Sequence, residues 1–207
     1  MPKRRKRRRK KTASPATATW IFVMVLLVLG GGLLVRGKIK TEMQNQATTQ
    51  TETGASSNES ASQQKFIKKM AKPAVRVYRQ NGQVLPSIVI AQAILESSWG
   101  TSALFLQANN PFGVKGSYEG RTKSFPTTEY VNNKKISINA NFRDYPSLTA
   151  AILDHDALLK RDYFKQTVTD YPTAAKLLQR NGYATDPKYA KKLTNLIATY
   201  NLNEYDT

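Results

Sequence analysis

Leu85-Pro-Ser-Ile-Val-Ile-Ala-Gln-Ala-Ile-Leu-Glu96-Ser-Ser-Trp99-Gly100 is the stretch on which the reading of this chain turns. Pro86 or Ser87 starts a helix, since proline's fixed φ suits the first helical position and serine suits a cap. From Ile88 to Leu95 every residue except Gln92 is apolar, so the helix is expected to be buried on most of its circumference. Glu96 ends the run, and Gly100 is expected to close the helix in the left-handed conformation. One carboxylate then stands in the last turn, where unpaired carbonyls disfavour negative charge, beside apolar neighbours and the indole of Trp99. Both influences push its pKa upward, toward a group that keeps its proton near neutral pH as a general acid must. A glutamate at a helix end is as readily a solvated surface residue, so this helix alone leaves both readings open.

The rest of the chain narrows the choice. Ala91 to Gly100 is followed in order by Asn109-Asn-Pro-Phe-Gly-Val-Lys115-Gly, Thr128-Glu129-Tyr130 and Gly182-Tyr183-Ala-Thr-Asp186. Together these blocks resemble the peptidoglycan glucosaminidases of bacterial autolysins, glycoside hydrolase family 73, over roughly residues 65 to 205. The resemblance implies an α+β, mainly helical, lysozyme-like domain in which a small β-hairpin faces the acid-bearing helix across a cleft. It also implies endo-β-N-acetylglucosaminidase activity on cell-wall glycan strands without metal or organic cofactor.

Residue by residue, it makes Glu96 the acid, Glu129 the second acidic residue and Tyr183 a cleft tyrosine that orients substrate or stabilises developing positive charge. Trp99, Asn110, Phe112, Gly113, Lys115 and Tyr130 are the matched positions expected to contact sugar. Pro111 stands where the family usually has leucine and removes a backbone donor there. Taken without the family, Glu129 is a solvent-facing strand glutamate, with Glu119 a weaker substitute for its role, and Tyr183 is a half-buried aromatic. By composition the 110–116 loop is an ordinary packed turn.

Composition excludes several other chemistries. The 207 residues contain no cysteine and one histidine, His155, which leaves no thiol nucleophile and supports neither a multi-histidine metal centre nor a serine–histidine triad. His155 falls in an apolar stripe with Leu148, Ile152 and Leu159, so it reads as a hydrogen-bonded core residue. The net charge of +18 is concentrated, with nine of the cations at Lys3 to Lys11. From Lys65 onward there are 20 basic and 11 acidic residues, which leaves +9 on the globular part and predicts salt-sensitive adhesion to anionic wall polymers.

Residues 12–35 carry no charge, although their strictly apolar centre, Trp20 to Val35, is only 16 residues long. At about 1.5 Å per residue the whole uncharged run can cross a hydrocarbon core of about 30 Å. It is read as a transmembrane signal anchor with the basic tail, residues 1–11, in the cytoplasm against anionic lipid, and with a cleaved signal peptide as the competing reading. Nucleic acid is not expected as a partner of that tail. Residues 36–64, polar and poor in apolar side chains, are read as a flexible linker outside the cell membrane, and 65–207 as the catalytic domain.

Within that domain the 66–81 segment is expected as one helix bent at Pro73 or as two short ones. A short helix and loop follow over 101–110, with Leu104 and Phe105 turned inward. Alternation begins at Thr122, and Asn132-Asn133 suits a hairpin turn. Ser147 is a candidate cap, a helix runs from about Thr173 to Asn181, and the last helix follows Asp186 as its cap. Muramidase and lytic transglycosylase chemistries, and a wall-binding scaffold without catalysis, are the alternatives to glucosaminidase activity.

Overall fold

The structure, a computed structural model, describes residues 49–131 and 134–207, with side chains described for 60–128 and 136–207. In chain order the elements are α1 (Thr49–Asn81), α2 (Pro86–Ser97), α3 (Ala103–Ala108), β1 (Thr122–Val131) and β2 (Lys134–Arg143). They continue with α4 (Leu148–Asp162), α5 (Tyr171–Arg180), α6 (Tyr189–Thr199) and a 3-10 turn over Leu202–Tyr205.

α2 is the axis of the core. Every residue from Pro86 to Ile94 is buried, and α1, α5, α6 and the 3-10 turn pack around it. Pro86 occupies the first turn as expected, and the orphan donors there are met from the far end of the chain. Asp206 accepts from the Ser87 N–H at 2.8 Å and from its hydroxyl at 2.7 Å, which places a carboxylate at the positive end of the helix.

α1 runs unbroken through Pro73. Phe66, Ile67, Met70, Ala71, Ala74 and Val77 form one buried face against the rest of the core, and that packing outweighs the single backbone bond proline forfeits. The linker reading is corrected over Thr49–Gln64, which is helical. Once the packed half is nucleated, each residue added before it only propagates the helix, and that step is far less demanding than starting one. Among the described residues no helix is long and apolar enough to cross a membrane. The basic tail, the 12–35 span and residues 36–48 of the linker lie outside the described residues.

β1 and β2 pair antiparallel from Thr122↔Arg143 to Val131↔Lys134, and the expected Asn132-Asn133 turn lies outside the described residues. Among the described residues, it is the base of the hairpin that is anchored in a core. Phe125 and Phe142 pack with Leu104 and Ala108 of α3, whereas Ile136 and Ile138, further out on the alternation of Phe142, are 37% and 36% exposed. Arg143 and Tyr145 tie the base to α4 through Asp154, whose Oδ2 accepts from the Tyr145 hydroxyl at 2.6 Å and pairs with the Arg143 guanidinium.

Ser147 caps α4, its Oγ accepting from the Ala150 N–H at 3.2 Å. α5 starts at Tyr171, slightly earlier than expected, because Asp170 caps it by accepting from the Thr173 N–H at 2.8 Å. Asp186 is not the cap of α6; that position falls to Lys188. Asp186 instead accepts from the Lys188 N–H at 2.8 Å and pairs with Lys192 at 2.6 Å, so it closes the turn leading into the helix.

Candidate functional site

Glu96 stands in the last turn of α2, half-buried. Gln92 lies one helical turn earlier on the same face, and Tyr189, the first residue of α6, bridges the two. The Tyr189 hydroxyl donates to Glu96 Oε1 at 3.1 Å and accepts from Gln92 Nε2 at 3.0 Å. Burial raises the Glu96 pKa from 4.5 to about 7, against the opposing pull of the Tyr189 hydrogen bond and the Lys192 charge. The carboxyl thus keeps an opening to solvent and is still protonated in about half of the molecules at neutral pH, as a donor to a leaving group must be.

The turn after Glu96 differs from the expectation. Ser98, not Gly100, is the C-cap, and Ser98, Trp99 and Gly100 all take positive φ, at 51°, 60° and 75°. Ser97 organises this turn: its Oγ donates to the Ala93 carbonyl and accepts from the Gly100 N–H at 2.8 Å. Trp99 is held edge-on between Phe66, at 6.2 Å between ring centres, and Tyr200, at 5.0 Å, with part of its surface still open. It supplies a half-exposed aromatic wall three residues from the acid.

Behind the carboxyl lies a layer of rings. Tyr183 stacks on Tyr189 at 5.5 Å, its hydroxyl is 3.4 Å from His155 Nε2, and His155 stacks on Phe112 at 3.7 Å. Burial, reinforced by the neighbouring Glu96 charge, raises the Tyr183 pKa well above that of an ordinary phenol and keeps its hydroxyl neutral. At 1% exposed it lies behind Tyr189 and not on the cleft surface, which corrects the expectation of a cleft tyrosine that touches substrate. His155 is fully buried, and burial lowers its pKa to about 3. Asp156, 3.8 Å from His155 Nδ1, is raised by burial to about 8. Both are uncharged near neutral pH, so the pair is not an ion pair and supplies no charged relay.

The structure corrects two of the expected sugar contacts. Asn110 is 1% exposed, and its amide is spent inside the protein. Nδ2 donates to the carbonyls of Val114 and Arg143 at 2.9 and 3.0 Å, while Oδ1 accepts from the Val114 N–H at 3.0 Å. Phe112 is likewise 1% exposed, under His155. Neither side chain has surface to offer a substrate; together they fasten the 110–116 loop between the hairpin base and α4.

Asn110→Ala should therefore destabilise the domain by about 2–4 kcal/mol, since it takes a partner from the Val114 N–H and the Arg143 carbonyl while the Val114 carbonyl keeps only the Arg143 N–H, and a urea unfolding curve measures it. Gly113, at φ 64°, is half-buried at the bend of this loop. Lys115, also half-buried, bridges to the hairpin base opposite Phe142, with its ammonium 6.0 Å from that ring.

Glu129 and Tyr130 pair with Ile136 and Lys135 near the hairpin end, and their side chains lie outside the described residues. Glu119 is exposed at a tight turn, at φ 50°, between the bridged residues Tyr118 and Arg121. Among the described residues no cluster of His, Asp or Glu is placed to hold a metal ion.

Tyr189 and Gln92 are the site residues that sequence reasoning missed. Tyr189 looked like one more apolar position of the last helix. Gln92 did carry a signal, as the single polar residue of a buried run, four positions before Glu96. Tyr189→Phe should move the Glu96 pKa further up, because the lost hydrogen bond favours the anion; the basic limb of the pH–rate profile should then shift to higher pH.

Residues 71–202 match the family model described as mannosyl-glycoprotein endo-beta-N-acetylglucosaminidase. The chain belongs to the glucosaminidase family. Among curated glucosaminidase relatives, exo-glucosaminidase LytG of Bacillus subtilis is 43% identical over 152 residues, covering 70% of this chain and 54% of LytG. A probable N-acetylmuramidase of Lactococcus lactis subsp. cremoris is 35% identical over 189 residues, 85% of this chain and 42% of that protein.

The chain thus spans about half or less of the length of these relatives. Among solved structures, the catalytic domain of the autolysin Auto from Listeria monocytogenes superposes with a TM-score of 0.65 at 35% identity, covering 78% of this chain and all of that one. The mainly helical fold with one two-stranded sheet matches that of this autolysin catalytic domain.

Proposed function

We propose that this glucosaminidase-family protein hydrolyses the glycan strands of peptidoglycan, cutting the β-1,4 bond after N-acetylglucosamine with Glu96 as general acid. The observation that carries the reading is the Glu96 carboxyl itself, half-open, bonded to Tyr189 and raised to about 7. Its proton passes to the bridging oxygen as the glycosidic bond breaks, and water supplies the hydroxyl at the anomeric carbon. Either Glu129 takes the proton from that water on the opposite face, or the substrate's 2-acetamido group assists with Glu129 as helper. Trp99 offers a ring for the sugar to lie against, and Tyr183, buried behind Tyr189, packs the ring whose hydroxyl holds the acid. No metal or organic cofactor enters this scheme.

In the same reading residues 12–35 anchor the protein in the cell membrane with the catalytic domain outside, and the basic charge of the domain holds it to anionic wall polymers. The muramidase alternative stays in view because a relative at 35% identity is named a probable N-acetylmuramidase. Mass spectrometry of digested wall fragments decides between them. Reducing N-acetylglucosamine ends are expected, reducing N-acetylmuramic ends would favour the muramidase, and anhydromuramic ends would mean a lytic transglycosylase. Wall binding with no fragments at all would leave a scaffold.

A further inference from the structure

Three recesses adjoin one another at the end of the domain where α2 begins, about 15 Å along that helix from Glu96. The first, of about 560 Å³, lies between α1 and the 3-10 turn, lined by Lys72, Arg76 and Arg79 with Val75 and Tyr205. The second, of about 210 Å³, starts just past Asn81, with Gly82 and Gln83 on one side and Lys160 and Lys165 on the other. It shares Gln166 with the third, of about 270 Å³, where Lys176 and Arg180 of α5 face inward. Seven cations line the three recesses, and among the described residues no carboxylate does.

Four of these cations have a simpler explanation: Arg79, Lys160 and Arg180 sit in the last turns of α1, α4 and α5, where positive charge complements the helix ends, and Lys165 donates to the Arg161 carbonyl at the end of α4. The other three, Lys72, Arg76 and Lys176, stand away from the helix ends. A polypeptide gains nothing by gathering unpaired cations along one line, because mutual repulsion works against the fold. On α1 the line is regular: Lys72, Arg76 and Arg79 follow one another at helical spacing on one face, and no ion pair with a described carboxylate quenches them.

We infer that this band is a binding track for a linear phosphodiester polymer of the cell wall. Regularly spaced negative charge on a flexible chain complements a line of cations, and each phosphate engaged releases counterions to solution. The cations line recesses rather than a convex face, which suits a chain laid into a groove better than the flat surface of a bilayer. The inference rests on the reading of the protein as a wall enzyme, and it assigns adhesion to a place separate from the cutting site.

The test is arginine footprinting of the full chain. Phenylglyoxal labelling with and without soluble poly(glycerol phosphate), read by peptide mass spectrometry, should show Arg76, Arg79 and Arg180 protected. Arg121 and Arg161, outside the recesses, should label as before. Arg76→Gln with Arg79→Gln should weaken polymer binding about tenfold at moderate salt, and Lys188→Gln with Lys191→Gln, which removes the same charge elsewhere, should not.

Uniform protection of all five arginines, or equal weakening by both pairs of substitutions, would reduce the track to net charge and overturn it. Protection by anionic phospholipid vesicles but not by the polymer would overturn it in favour of a membrane. Walls stripped of phosphate polymers separate the two readings. Protection that persists on the stripped walls, with normal cutting, sinks the track alone, and protection that disappears on stripping, with neither wall cut, sinks the hydrolase alone.

Discussion

Glu96→Gln is expected to lower wall lysis by about 10²–10⁴-fold while leaving the fold intact, since general acid catalysis contributes on that scale and glutamine can still accept the Tyr189 hydrogen bond. The wild-type protein should also lose activity as pH rises through about 7, where the carboxyl gives up the proton it must donate. The same substitution should stabilise the protein at alkaline pH. Because the folded-state pKa is raised, the native form binds more protons than the unfolded chain between 4.5 and about 7, and stability falls as pH rises through that window.

At about 1.36 kcal/mol per unit the penalty above pH 7 reaches at most about 3 kcal/mol. Glu96→Gln escapes it. Thermal melts of the two proteins should therefore diverge at pH 8, with the variant higher, and converge below pH 4. A site that loses activity and gains stability in one substitution is one where function is held against the preference of the fold.

Gly100→Ala is the second large effect. A Cβ at this position would stand 2.5 and 2.6 Å from two atoms of the Phe66 ring and 3.0 Å from Phe105, at a φ of 75° that disfavours side chains. Phe66 cannot swing aside, because it is buried and packed edge-on against Trp99 and Phe105. The backbone cannot yield easily either, as Ser98 and Trp99 before it already take the left-handed conformation. The combined overpacking and backbone strain should destabilise the domain by about 2–4 kcal/mol in urea unfolding. Lysis should fall as well, since any shift of the turn moves Trp99 and the last turn of α2. Wild-type stability in the variant would show that the turn is looser than its packing implies.

What was legible in the sequence follows from how local each signal was. The buried helix ending in Glu96 was written in eight nearly unbroken apolar positions, and the hairpin in an alternation of period two; both depend only on neighbours in the chain. Ser147 as a cap was legible for the same reason. Glycine's preference for positive φ pointed to Gly100 as the helix stop, yet Ser98 took that place because Ser97 ties the whole turn down by its own hydroxyl.

Asn110 looked like a residue of an open loop, and its burial depends on the Arg143 carbonyl, brought alongside only when the hairpin folds back. Tyr189 was hidden in the same way: nothing near it in sequence tells a core tyrosine from one whose hydroxyl reaches a carboxylate 93 residues away. Long-range polar partnerships were the part that required coordinates.

The most direct measurement of the central claim is the titration of the Glu96 carboxyl by carbon NMR of glutamate-labelled protein, with Glu96→Gln assigning the resonance. A midpoint near 7 is expected. A midpoint near 4.5 would mean that the group is an ordinary solvated carboxylate, already ionised at neutral pH, and would contradict its role as the proton donor.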